Sequence, residues 1–172
     1  MVAGWTDAAV VNAGDGARAH PTQALLDVHT LRTRFGELDG RKIWIVGDIA
    51  HSRVARSTAA AFTLMGAEVV LAGPPTLLPA GIGPALGCET RYSLDGMESA
   101  DVIYALRMQH ERMAGGDVPS LREYTRLYGI GPSRLRAEQL VMHPGPVNRG
   151  VELDGSIVDS PQCLMREQVA NG

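Results

Sequence analysis

The sequence predicts an α/β fold, a parallel sheet flanked by helices on both faces. Short, mostly apolar runs at residues 42–46, 68–72, 101–106 and 140–142 recur between segments with helical spacing. Lys42-Ile-Trp-Ile-Val46 is continuously apolar rather than alternating, as expected of a strand covered on two sides. Strands that alternate with helices join through right-handed crossovers, and such sheets bind ligands beyond the carboxyl ends of their strands. The strand-to-helix turns are therefore where function is sought.

In chain order, Val10-Val11 reads as the end of a strand. Residues 21–35 read as a helix: Pro21 suits its first position, Gly36 stops it, and Ala24, Val28, Leu31 and Phe35 share a face. Asp39-Gly40 makes a turn into the strand at 42–46. A helix over residues 54–65 turns Val54, Thr58, Ala61, Phe62 and Met65 inward, and a strand follows at 68–72. Residues 73–87, rich in Pro and Gly, read as loop with room for a short helix. Strands at 90–92 and 101–106, helices at 120–128 and 132–138, a strand at 140–142 and a helix beginning near Gln162 complete the pattern. No internal repeat or low-complexity segment interrupts it.

The 172 residues suffice for one substantial domain and part of another. A net charge of −3 excludes the basic face of a nucleic-acid binder. Lys42 is the single lysine, so cationic chemistry falls to arginine. Cys88 and Cys163 stand apart from one another and from the histidines, as two reduced thiols would. No apolar run is long enough for a membrane span and no signal peptide opens the chain, which points to a cytoplasmic protein. His20, His29, His51, His110 and His143 show no metal-ligand spacing, and neither a Gly-x-Ser-x-Gly elbow nor a Gly-x-Gly-x-x-Gly loop is present.

Four constellations carry chemistry. In the turn Gly47-Asp-Ile-Ala-His-Ser-Arg53, Ser52 suits an N-cap, and Arg53 stands at the positive end of the helix dipole. Either a negative ligand lies nearby or Arg53 pairs with Asp48 or another carboxylate. Arg107 ends the strand at 101–106. Its guanidinium fork suits a carboxylate ligand, and two such arginines suit a dicarboxylate; a surface ion cluster with Glu111 and Arg112 is the alternative. His20 and Gln23 fall at the N-cap and N3 of the first helix. They either form a capping box or leave the imidazole to donate to a developing oxyanion. His143-Pro-Gly-Pro146 exposes mainly carbonyls, which suit a ligand NH₂ group or simply stiffen a connection. Arg149 has two possible partners, the site or Glu152.

These segments resemble the aspartate carbamoyltransferase family in order along the chain. Carrying the resemblance are Asn12-Ala-Gly-Asp-Gly16, His20-Pro-Thr-Gln-Ala-Leu-Leu-Asp27, Gly47-Asp-Ile-Ala-His-Ser-Arg-Val-Ala-Arg-Ser57, Arg107-Met-Gln-His-Glu-Arg112 and His143-Pro-Gly-Pro-Val-Asn-Arg-Gly150, with Asp159-Ser-Pro161 and Glu167-Gln-Val-Ala-Asn-Gly172 closing it. Ornithine carbamoyltransferases share His-Pro-x-Gln but typically carry His-Cys-Leu-Pro where this chain reads His143-Pro-Gly-Pro146. The aspartate enzymes are the better match.

The resemblance implies a Rossmann-like aspartate-binding domain preceded by the tail of a second α/β domain. It implies transfer of the carbamoyl group from carbamoyl phosphate to L-aspartate, the committed step toward pyrimidines. His20 and Gln23 would contact the carbamoyl group, with His20 polarising its oxygen and the Gly145 and Pro146 carbonyls holding its NH₂. Arg53 and Arg107, assisted by Gln109, would bind the aspartate carboxylates. Neither cofactor nor metal is implied. A homotrimer is, and regulatory subunits are left open. Residues 1–36 would be the tail of the carbamoyl-phosphate domain and the linking helix, 37–162 the aspartate domain, and 163–172 the start of a cut C-terminal helix. The family's Ser-x-Arg-Thr-Arg phosphate clamp and lysine-bearing loop are missing, so the expectation is a fragment with negligible turnover alone. Another carbamoyltransferase, a non-catalytic amino-acid-binding module and, last, a nicotinamide-binding domain are the competing readings.

Overall fold

A computed structural model describes residues 4–16, 18–108 and 120–172. Five parallel strands form its sheet: β1 (Lys42–Val46), β2 (Glu68–Ala72), β3 (Glu89–Arg91), β4 (Val102–Ala105) and β5 (Leu140–Met142). Their spatial order is β3-β2-β1-β4-β5, with Ile45 of β1 level with Leu71 on one side and Tyr104 on the other. The direction of winding reverses between β1 and β4. Beyond the carboxyl ends of those two strands the connecting loops part to opposite faces and leave a crevice.

Successive strand residues point to opposite faces, and both faces are covered. On one face Ile43, Ile45, Leu71, Val102 and Tyr104 pack against Leu31 of α1 (Pro21–Phe35), against Ala55, Ala59 and Phe62 of α2 (Arg53–Leu64), and against Leu164. On the other, Trp44, Val46, Val70, Ile103 and Val141 pack against Tyr124 and Tyr128 of α4 (Leu121–Tyr128) and Ile157 of α5 (Gly155–Val158). Replacing a fully buried residue such as Phe62 by alanine costs about 3–5 kcal/mol on this kind of packing. A short α3 (Ile82–Leu86) precedes β3, and α6 (Met165–Asn171) packs on α1, tied there by an Arg34–Glu167 ion pair.

The α/β prediction is met, and the helix at 21–35 has the bounds its capping residues imply. Pro21 sits in the first turn, and Gly36, at φ +79°, donates its N–H to Arg32 O at 2.8 Å. Several local expectations need correction. Val10 and Val11 are exposed and in no strand. The helix expected at 132–138 is a single 3₁₀ turn, Pro132–Arg134, because the Gln139 side chain accepts from Arg136 N and donates to the Met97 and Ala100 carbonyls. The final helix starts at Met165, preceded by the unanticipated α5. The buried stripe of α2 is Ala55, Thr58, Ala59 and Phe62, rotated from the expected one because α2 packs against α1 as well as the sheet.

Candidate functional site at the carboxyl ends of the central strands

Each turn at the crevice is built by its own sequence. After β1, Gly47 lies so close to Leu106 and Tyr124 that an added Cβ would stand 3.0 Å from the tyrosine Oη, and its φ of +132° suits glycine alone. Asp48 is buried and accepts from His51 N at 3.0 Å and His51 Nδ1 at 2.9 Å. The carboxylate is thus committed to its own turn and does not neutralise Arg53. Ser52 caps α2, accepting from Ala55 N at 3.1 Å, as its position implies.

Arg53, first residue of α2, donates through Nη1 to Gly16 O at 3.3 Å and lies over Gly14, where a Cβ would come within 2.8 Å of the guanidinium. Among the described residues no carboxylate accepts from it. Arg107 follows β4, the neighbour of β1, and Leu106 N still donates to Val46 O at 2.8 Å. The two arginines therefore flank the point where the winding reverses. Gln109, Glu111 and Arg112 lie outside the described residues.

His20 caps the first helix through one ring nitrogen and leaves the other outside the cap. Its Nδ1 accepts from Gln23 N at 3.4 Å and lies 3.3 Å from Thr22 Oγ1, while its backbone N–H donates to Ser57 Oγ at 2.9 Å. With Nδ1 accepting, the ring proton belongs on Nε2. Burial lowers the imidazole pKa from 6.5, and the Arg53 guanidinium lowers it further, so the ring is neutral at neutral pH. No capping box forms. Gln23 turns its amide to Asp27 Oδ1 at 3.0 Å instead of back to the cap.

In the turn after β5, proline removes two N–H groups and the structure engages the other two. His143 N donates to Gln168 Oε1 at 3.1 Å, and Gly145 N donates to His143 Nδ1 at 2.9 Å. Residues 143–146 thus offer ligands only carbonyl oxygens. Gly145 lines a cleft of about 130 Å³ with Gln23, Pro144 and Gln168. Pro146 follows at the surface. His143 Nε2 stands 3.3 Å from Glu152 Oε1 deep inside, without the alignment of a hydrogen bond. Asn148 Nδ2 donates to Met108 O at 3.1 Å and joins this turn to the segment bearing Arg107. Arg149 belongs elsewhere: it forks onto Asp159 at 2.7 and 2.9 Å.

His20, Gln23, Arg53 and Gly145 are thus linked around one rim, with Arg107 tied in through Asn148. The residue that the sequence reading passed over is Asp27. It is fully buried and accepts from Gln23, Thr58, Tyr104 and Gln168. An acid on the apolar stripe of α1, between Ala24 and Leu31, was the available signal. A larger groove of about 530 Å³ beside β3 and α4, lined by Tyr92, Met97, Tyr128 and Arg134, holds none of these residues.

Comparison with known proteins gives the family. Residues 39–172 match the family model described as aspartate/ornithine carbamoyltransferase, Asp/Orn binding domain. The aspartate carbamoyltransferase catalytic subunit of Gluconacetobacter diazotrophicus is 54% identical over 100% of this chain and 54% of its own length. The catalytic subunit of M. jannaschii aspartate transcarbamoylase superposes with a TM-score of 0.79 at 32% identity, over 98% of this chain and 56% of its own. Ornithine carbamoyltransferase from Thermus thermophilus gives 0.80 at 26% identity, over 99% and 57%. The chain spans about half the length of the curated relatives it matches.

Proposed function

Since the chain belongs to the aspartate/ornithine carbamoyltransferase family, we propose that it provides the acceptor side of a site that moves a carbamoyl group from carbamoyl phosphate to the amine of L-aspartate. The observation that carries this reading is the 143–146 turn, stripped of free N–H groups beside Gln23. Carbonyl acceptors there suit the carbamoyl NH₂, and the neutral His20, with its proton on Nε2, suits the carbamoyl oxygen. Arg53 and Arg107, on either side of the crevice, suit two carboxylates. The amine nitrogen attacks the carbonyl carbon, charge gathers on the oxygen facing His20, the C–O bond to phosphate breaks, and the nitrogen loses a proton. Positioning and electrostatics suffice, because the substrate is already activated.

In this reading residues 37–162 form the aspartate domain, 1–36 the tail of the carbamoyl-phosphate domain and the linking helix, and 163–172 the opening of the C-terminal helix. A homotrimer and a cytoplasmic setting go with it; no helix among the described residues is long and apolar enough to cross a membrane. The phosphate grip would come from the part of the relatives that this chain does not span. The test mixes the purified chain with the unmatched half of the Gluconacetobacter protein and follows label from carbamoyl phosphate. Carbamoyl-aspartate should form in the mixture and not with either piece alone. Transfer to ornithine in preference to aspartate, or to neither, would overturn the assignment.

A further inference from the structure

Asp27 is costly for the fold to bury, and nothing in the reading above uses it. For stability alone an apolar residue of similar size serves such a position as well. What a carboxylate does, and an apolar side chain cannot, is dictate the orientation of its neighbours. Ionised, it only accepts, so each glutamine that meets it must present its NH₂ group. Gln23 Nε2 and Gln168 Nε2 both donate to Oδ1, at 3.0 and 2.7 Å, while the Thr58 and Tyr104 hydroxyls donate to Oδ2 at 3.2 and 2.8 Å.

The consequence runs in two directions. Gln168, with its NH₂ on Asp27, must aim its oxygen away, and there it accepts the His143 N–H that opens the 143–146 turn. Gln23, held the same way, turns its carbonyl oxygen away from the carboxylate, and it lines the cleft with Gly145. One buried charge thereby fixes a side-chain acceptor and a backbone acceptor on two elements, α1 and the β5 turn, that are distant in sequence. Burial raises the carboxyl pKa to about 6, against the pull of its four donors, so the charge that enforces this orientation is present at neutral pH.

We propose that Asp27 is a positioning residue: acting through Gln23 and Gln168, it sets the acceptor array that receives the N–H groups of the carbamoyl donor. This rests on the carbamoyl-transfer reading for the identity of the ligand. The orientation itself does not depend on that reading, and the experiment separates the two.

Three near-isosteric variants are compared: Asp27→Asn, Gln168→Met and, as a control that weakens the same cluster without touching either glutamine, Thr58→Val. In the 172-residue chain, hydrogen exchange at the His143 amide should quicken roughly 10–100-fold in the first two and stay within about threefold in the control. In the two-piece assay, Asp27→Asn and Gln168→Met should raise KM for carbamoyl phosphate roughly 10-fold or more, leaving KM for aspartate within about twofold. Equal effects from Thr58→Val would reduce Asp27 to a structural role and overturn the proposal, as would a rise confined to the aspartate KM. Should Asp27→Asn fail to fold, Gln168→Met alone decides. If wild type transfers nothing while the exchange pattern holds, the functional reading fails and the orienting role stands.

Discussion

The chain contains two His-Pro steps, and in both the imidazole Nδ1 accepts a nearby backbone N–H, from Gln23 at 3.4 Å in the first and from Gly145 at 2.9 Å in the second. Their surroundings then separate them. His20 opens a helix at the rim, half-buried, beside the Arg53 guanidinium. His143 is 2% exposed and turns Nε2 toward the buried Glu152. The same local rule, a proline that removes one donor and an imidazole that takes up a nearby one, gives a partly exposed ring in one turn and an internal strut in the other. Burial and neighbouring charge decide which.

The widest separation should appear when each ring is removed. His20→Ala should lower kcat/KM for carbamoyl transfer about 10²–10³-fold, as loss of one oxyanion donor does. Its effect on unfolding free energy should stay within about 1 kcal/mol, the range of a lost cap. His143→Ala should cost about 2–4 kcal/mol in urea unfolding, because a buried ring is removed and the Gly145 N–H loses its acceptor. Equal destabilisation by the two variants would break the comparison.

A finer distinction is pH. Because the folded pKa of His20 lies below its ordinary 6.5, the unfolded chain takes up that proton first. The stability His20 contributes is whole above pH 6.5 and is lost as pH falls toward the lowered value, when a proton on Nδ1 also abolishes the cap to Gln23. NMR titration of the His20 ring should give a midpoint below 6.5, and Arg53→Gln should move it upward. No movement would mean that Arg53 does not shape the field at His20. The smallest effect is expected outside both regions. Arg149→Ala removes an exposed pair with Asp159 and should change neither the unfolding midpoint nor the aspartate KM; a rise in that KM would bring Arg149 into the site.

Much of this was legible in the residues. Pro21, Gly36 and Ser52 mark helix ends through backbone chemistry that acts within a few residues, and the apolar run 42–46 announces a strand buried on both faces. The turns bearing Arg53, Arg107 and His143 could be picked out because parallel sheets bind ligands at those strand ends, and His20 because it caps the first helix. Less legible were features that depend on distant partners. The Gln139 side chain satisfies Arg136 in place of a helix, and Gln23 abandons the cap for a carboxylate four residues on.

The sequence by itself determined the order of elements, the two-sided burial of the central strands, and which short segments carry polar chemistry, because periodicity, capping and proline geometry are local. Only the tertiary structure decided that Asp27 gathers donors from α1, α2, β4 and α6. It alone set the reversal of winding between β1 and β4 with the arginines on either side of it, and committed Arg149 to Asp159. The physical reason is that a hydrogen bond or charge contact between residues as far apart as Asp27 and Gln168 leaves no periodic trace along the chain; it exists only once the sheet has brought their helices together.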